Sequence, residues 1–98
     1  ATQALYMMNS DFVTVQAEAF ADRVLGEDAD SEKDRVDRAW QIALARLPSE
    51  AERNEALSFI EQTSESFKTS EFANDRLQKA WTSLAQSLFA SAEFRYVE

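Results

Sequence analysis

The 98 residues carry 10 Lys and Arg against 18 Asp and Glu, a formal net charge of −8, with 45% apolar and 29% charged residues. That is a globular composition of one-domain length. Cys and His are both missing, which excludes disulfides, thiolate zinc sites, iron–sulfur clusters, imidazole bases and Ser-His-Asp triads.

The sequence reads as all-α. Sixteen Ala and eight Leu favour helix, while a single Gly and a single Pro are too few for the turns of an all-β domain. Residues 2–8 suit a short helical turn. Asn9, Ser10 and Asp11 can each cap the helix that follows, expected over 11–25, with Val13, Ala17, Phe20 and Val24 on one face. Gly26 stands just after that stripe, where a left-handed residue would end the helix.

An acidic connection, residues 26–34, leads to Ser31 and Asp34, a start signal for the second helix. Val36, Ala39, Trp40, Ala43, Leu44 and Leu47 form the cleanest amphipathic stripe in the chain. Pro48 is expected to stop that helix, because the residue before a proline is pushed out of the helical region. Ser49 and Glu52 make a capping box for the third helix, whose apolar face holds Ala56, Phe59, Ile60, Thr63 and Phe67. Residues 64–75 read as a loop with a partial turn near Phe72. Asn74 or Asp75 is the expected cap of the fourth helix, with Leu77, Ala80, Trp81, Leu84, Ala85 and Leu88 as its stripe. Trp40 and Trp81 occupy matching stripe positions, and both are expected in the core. Short connections favour antiparallel neighbours, so the expected object is a compact bundle of about four antiparallel helices with short terminal helical turns. Two crossed helical hairpins are the other packing the pattern allows. Phe94, Tyr96 and Val97 are expected to fold back over the bundle end beside Leu5 and Tyr6.

The candidate sites are few. Asp28, Asp30 and Glu32 resemble the opening of a calcium loop, but Lys33 replaces its Gly and Ala39 its closing Glu. A solvated acidic loop explains them. Asp30-Ser31 is similar to the attachment motif of acyl carrier proteins, although Glu32 stands where that motif has Leu; helix capping explains Ser31 as well. Asp34, Asp37, Glu50, Glu52 and Glu55 could run acid–base chemistry only if one were buried and its pKa raised; the pattern puts all five on polar faces. Arg35, Arg38 and Arg46 lie along the second helix, Arg46 near its end, where a cation offsets the helix dipole. Tyr6, Met7 and Met8 suit an adaptable apolar contact. No catalytic, cofactor-binding or metal-binding residue is assigned, and no cofactor is expected. The charge repels nucleic acid, and no apolar run approaches the ~20 residues of a membrane span.

Three ordered stretches carry a family resemblance. They are Gln3-Ala4-Leu5-Tyr6-Met7-Met8-Asn9 with Phe12-Val13; Arg35-Val36-Asp37-Arg38-Ala39-Trp40 with Ala43-Leu44-Ala45-Arg46-Leu47-Pro48 and Glu52; and Ala80-Trp81 with Leu84 and Leu88-Phe89-Ala90-Ser91-Ala92-Glu93-Phe94-Arg95-Tyr96-Val97-Glu98. Together they resemble the planctomycete-specific domain of unknown function at the C-terminal end of large cytochrome-like proteins. That pattern has Gly where Ala45 stands, Pro where Leu47 stands and Asn where Ala90 stands. The resemblance spans nearly the whole chain and implies that residues 1–98 are a single helical domain, the C-terminal fragment of a larger, exported, extracytoplasmic protein. It implies no known activity and no enzyme. The expected role is a non-catalytic module docking onto the rest of its parent chain or onto another protein, with no small-molecule substrate. An acyl-carrier-like domain modified at Ser31 is the alternative.

Overall fold

The computed structural model describes residues 10–71 and 73–91. The two terminal turns, the contact between the tail and Leu5 and Tyr6, Asn9 as a cap, and the turn at Phe72 all lie outside these residues. The described chain forms α1 (Ser10–Gly26), α2 (Glu32–Leu44), α3 (Glu50–Ser66), a 3-10 turn (Ala73–Asp75) and α4 (Arg76–Phe89). No strand occurs among the described residues. The protein is an all-α bundle.

The helix starts follow from their caps. Ser31 adopts an extended backbone and its hydroxyl accepts the Asp34 N–H at 3.2 Å. At α3 the capping box is complete: the Ser49 hydroxyl accepts the Glu52 N–H at 3.1 Å, and the Glu52 carboxylate accepts the Ser49 N–H at 2.8 Å. Each bond satisfies an N–H that the helix itself leaves without an acceptor. Asp75 holds the N-cap position of α4, yet its side chain makes no capping bond; the 3-10 turn leads directly into the helix instead.

The helix ends correct two expectations. Gly26 is the last residue of α1, without a positive φ. The left-handed residue is Ala45, at φ 60 and ψ 29, with its N–H bonded to the Gln41 carbonyl. It is the one non-glycine with positive φ among the described residues. Ala45 therefore ends α2 three residues before Pro48. The stripe breaks there, and Leu47 is left 53% exposed. Gly would meet no Cβ penalty in that conformation.

The core runs along α4, which packs most extensively on α1 and next on α3. Trp81, Ala80 and Ala85 of α4 and Ala17 and Ala21 of α1 are fully buried, with Val24 at 1% exposure. Two hydrogen bonds fix the direction of the pair: Gln78 donates to Asp22, and Gln86 donates to Thr14. Residue numbers falling on one helix as they rise on the other mean that α1 and α4 are antiparallel. Phe20 and Phe89 meet edge to face with ring centroids 5.6 Å apart. Trp40, Val36 and Ala39 of α2 and Ala56 and Ile60 of α3 complete the core. Both tryptophans are buried as expected. Leu77 and Phe59, also expected inside, lie at the margin with 38% and 36% exposure.

Candidate functional site

The α2–α3 corner gathers the polar side chains. Past the left-handed turn at Ala45, Arg46 reaches forward. Its two terminal nitrogens bond the two Glu52 oxygens at 2.9 and 3.0 Å, and one of them also donates to the Leu47 carbonyl. Arg46 thus lies beyond the end of α2 and anchors the start of α3. One turn further along, Arg53 donates to Asp37 at 2.8 Å, both half-buried. Asp37 and Glu52, expected on polar faces, are partly exposed ion-pair partners, and Asp34, Glu50 and Glu55 are exposed.

These pairings decide what the carboxylates can do. The Arg46 guanidinium, helped by the Ser49 N–H, holds Glu52 down at about 2. A group so depressed stays ionised at neutral pH, the opposite of the raised pKa a general acid needs. Glu27, between α1 and α2, is lowered by the hydrogen bond from Arg38, with Arg23 also near. Cations hold these carboxylates as structural acceptors.

The acidic connection behaves similarly. Glu32 accepts from Arg35 and, at 3.4 Å, from the indole N–H of Trp81, tying the first residue of α2 to the core of α4. Asp28 and Asp30 face solvent. Among the described residues, no three Asp, Glu, His or Cys side chains come together as a metal ion would require. Ser31 is exposed, its hydroxyl engaged in the cap. Met7, Met8 and Tyr6 lie outside the described residues.

A groove of about 230 Å³ lies where α2, α3 and α4 meet. Trp40, Ala56, Leu84 and Leu88 form its buried floor; Phe59, Glu52, Glu55 and Ser87 form its rim. The indole N–H of Trp40 is buried without an acceptor among the described residues. The volume falls below the ~300–1,000 Å³ of ordinary small-molecule sites, and the floor offers apolar contact without a reactive group. The sequence shows these residues as core stripes on three separate helices. Only the packing leaves a gap between the stripes, with Phe59 at its edge. A partial signal is present in α3, where Phe59 widens the Ala56–Ile60 stripe beyond what the core covers.

No described helix is long and apolar enough to cross a membrane. No curated protein and no solved structure matches the chain. Residues 1–60, which include α1, α2 and the first part of α3, match a family described as a protein of unknown function (DUF1553), PSD1. The chain belongs to the PSD1 family of proteins of unknown function (DUF1553).

Proposed function

We propose that the chain is a non-catalytic helical module that closes a large, exported cytochrome-like protein of planctomycete type and works by docking onto protein. The observation that carries the reading is the groove: an apolar floor of Trp40, Ala56, Leu84 and Leu88 with the half-exposed ring of Phe59 at its edge. The Phe59 ring, exposed beside this buried floor, is the apolar surface that a partner would cover. The carboxylates support the same reading, because Glu52 and Glu27 are stabilised as anions by arginines. The carrier alternative rests on the exposed hydroxyl of Ser31, a residue its capping bond already explains.

A photo-crosslinking amino acid placed at position 59 of the protein in its native cell tests the docking role. Crosslinks to a defined polypeptide are expected from position 59 and not from the exposed position 62 on the same helix. Equal yields from the two positions would overturn docking at the groove. For the alternative, phosphopantetheinyl transferase and coenzyme A should leave the mass unchanged, and modification at Ser31 would replace this reading.

A further inference from the structure

We propose that residues 45–47 are a two-state joint: α2 ends at Leu44 while Arg46 clamps Glu52, and continues through Arg46 when the clamp opens. The joint stands independently of docking at the groove. Ala45 carries its strain. The Ala45 backbone is left-handed, at φ 60 and ψ 29, a conformation in which the Cβ of an L-residue crowds the following carbonyl. Ala is also the residue most favoured in a helix. The Ala45 N–H already bonds the Gln41 carbonyl at 3.1 Å, a bond that a helix continuing through Ala45 would keep. Leu47 adds to the same preference. It is 53% exposed, yet it falls three residues after Leu44, four after Ala43 and seven after Trp40. A longer α2 would turn it toward the face that holds Trp40.

The clamp works against this. The two terminal nitrogens of Arg46 bond the two Glu52 oxygens at 2.9 and 3.0 Å, and one of them donates to the Leu47 carbonyl at 2.9 Å. Helical side chains lean toward the helix N-terminus. An Arg46 taken into α2 would lean back toward Ile42, away from Glu52 in the first turn of α3. Clamp and longer helix therefore exclude each other. The surroundings confine the change to the joint. Pro48 is buried and keeps Leu47 out of helical backbone, so α2 can gain Ala45 and Arg46 and no more. On the other side, Ile42, Ala43 and Leu44 are only half-buried, whereas Val36 and Ala39 are fully buried. The Arg53–Asp37 bond, at 2.8 Å, ties the two helices together two turns back from Ala45. Residues 45–47 thus form a short hinge between fixed points.

NMR of the chain reads both states. Contacts from the Ala43 Hα to the amide of position 46, and from the Leu44 Hα to the Leu47 amide, mark the longer helix. Relaxation dispersion on the unaltered chain should show microsecond-to-millisecond exchange at residues 44–48 and none at Ala80–Leu88. Arg46→Gln should raise the ratio of long to short state about threefold to fivefold, the scale of one partly exposed ion pair. Sodium chloride at about 1 M should raise it in the unaltered chain as well, by screening the clamp. Ala45→Gly should lower the ratio about tenfold by removing the Cβ crowding, and Ala45→Gly combined with Arg46→Gln should stay short. Lys68→Gln removes an exposed ion pair with Glu65, away from the joint, and should change nothing.

The joint is refuted if the unaltered chain and Arg46→Gln both lack exchange and helical contacts at positions 46 and 47. It is refuted equally if Lys68→Gln raises the ratio as much as Arg46→Gln, or if Ala45→Gly leaves the ratio unchanged. The salt series needs no substitution, so it decides the role of the clamp even if Arg46→Gln disturbs the fold: a ratio that salt does not move would overturn it.

Discussion

The α1–α4 pair and the α2–α3 hairpin are held by different forces. The first is a long antiparallel contact built on alanines and Trp81, with hydrogen bonds only at its edges. The second makes a slighter contact, fastened by Arg46–Glu52, Arg53–Asp37 and a capping box. Apolar burial is non-directional and large in sum, whereas partly exposed ion pairs contribute about 1 kcal/mol or less each and weaken with salt. Stability should therefore reside in α1 and α4. The hairpin, with its groove, is the half left able to adjust to a partner.

The largest expected effect is at Trp81. Replacement by Ala removes a fully buried indole and its bond to Glu32, at a cost of about 3–5 kcal/mol, a large share of a small domain's stability. Trp40→Ala should cost less, because one side of that ring borders the groove and so lacks packed neighbours. Denaturant midpoints rank the two, and a larger loss at Trp40 would reverse the assignment of strength.

Next come the polar ties. Breaking the half-buried Arg53–Asp37 pair should cost about 1 kcal/mol in a double-mutant cycle. Glu52 adds a pH dependence. Its folded pKa, about 2, lies below the ordinary 4.5. Its stabilisation is thus complete above the unfolded value and lost as pH falls through the folded one. Because the side chain is about one-third exposed, solvent screening reduces the effect to about 1 kcal/mol. Between pH 5 and 2 the parent should lose more stability than Glu52→Gln, which keeps a capping side chain but no charge. Parallel curves would remove Glu52 from the hairpin's ties.

The smallest effects come from the two helix ends. Ala45→Gly should stabilise by about 0.5–1 kcal/mol by relieving a left-handed Ala. Gly26→Ala should also stabilise, by about 0.4–1 kcal/mol, since Gly26 has no positive φ and an added Cβ would meet nothing within 4 Å. Thermal melts of both variants check the pair.

This inverted pair shows where the sequence is legible. Helix identities, the caps at Ser31 and Ser49 and the burial of both tryptophans follow from local pattern and hydrogen-bonding chemistry. The end of α2 does not, because a stripe that continues to Leu47 cannot reveal that Ala45 turns left-handed; tertiary context overrides the local rule. The same limit hides the groove. Periodicity marks Trp40, Ala56 and Leu84 as inward-facing, but whether three stripes close completely depends on how the helices meet. The ion pairs are intermediate: Arg46 and Glu52 are visible as charges, and only the turn between them makes them partners.

Native-state hydrogen exchange along the backbone tests the contrast most directly. Amides of α1 around Ala17–Val24 and of α4 around Ala80–Leu88 should open only with global unfolding. Those of residues 45–55 should open at a free energy lower by about 1–3 kcal/mol, and should do so more readily at high salt. One uniform opening free energy across both regions, or stronger protection at the α2–α3 corner than in α4, would contradict the division between an apolar half and a polar, adjustable one.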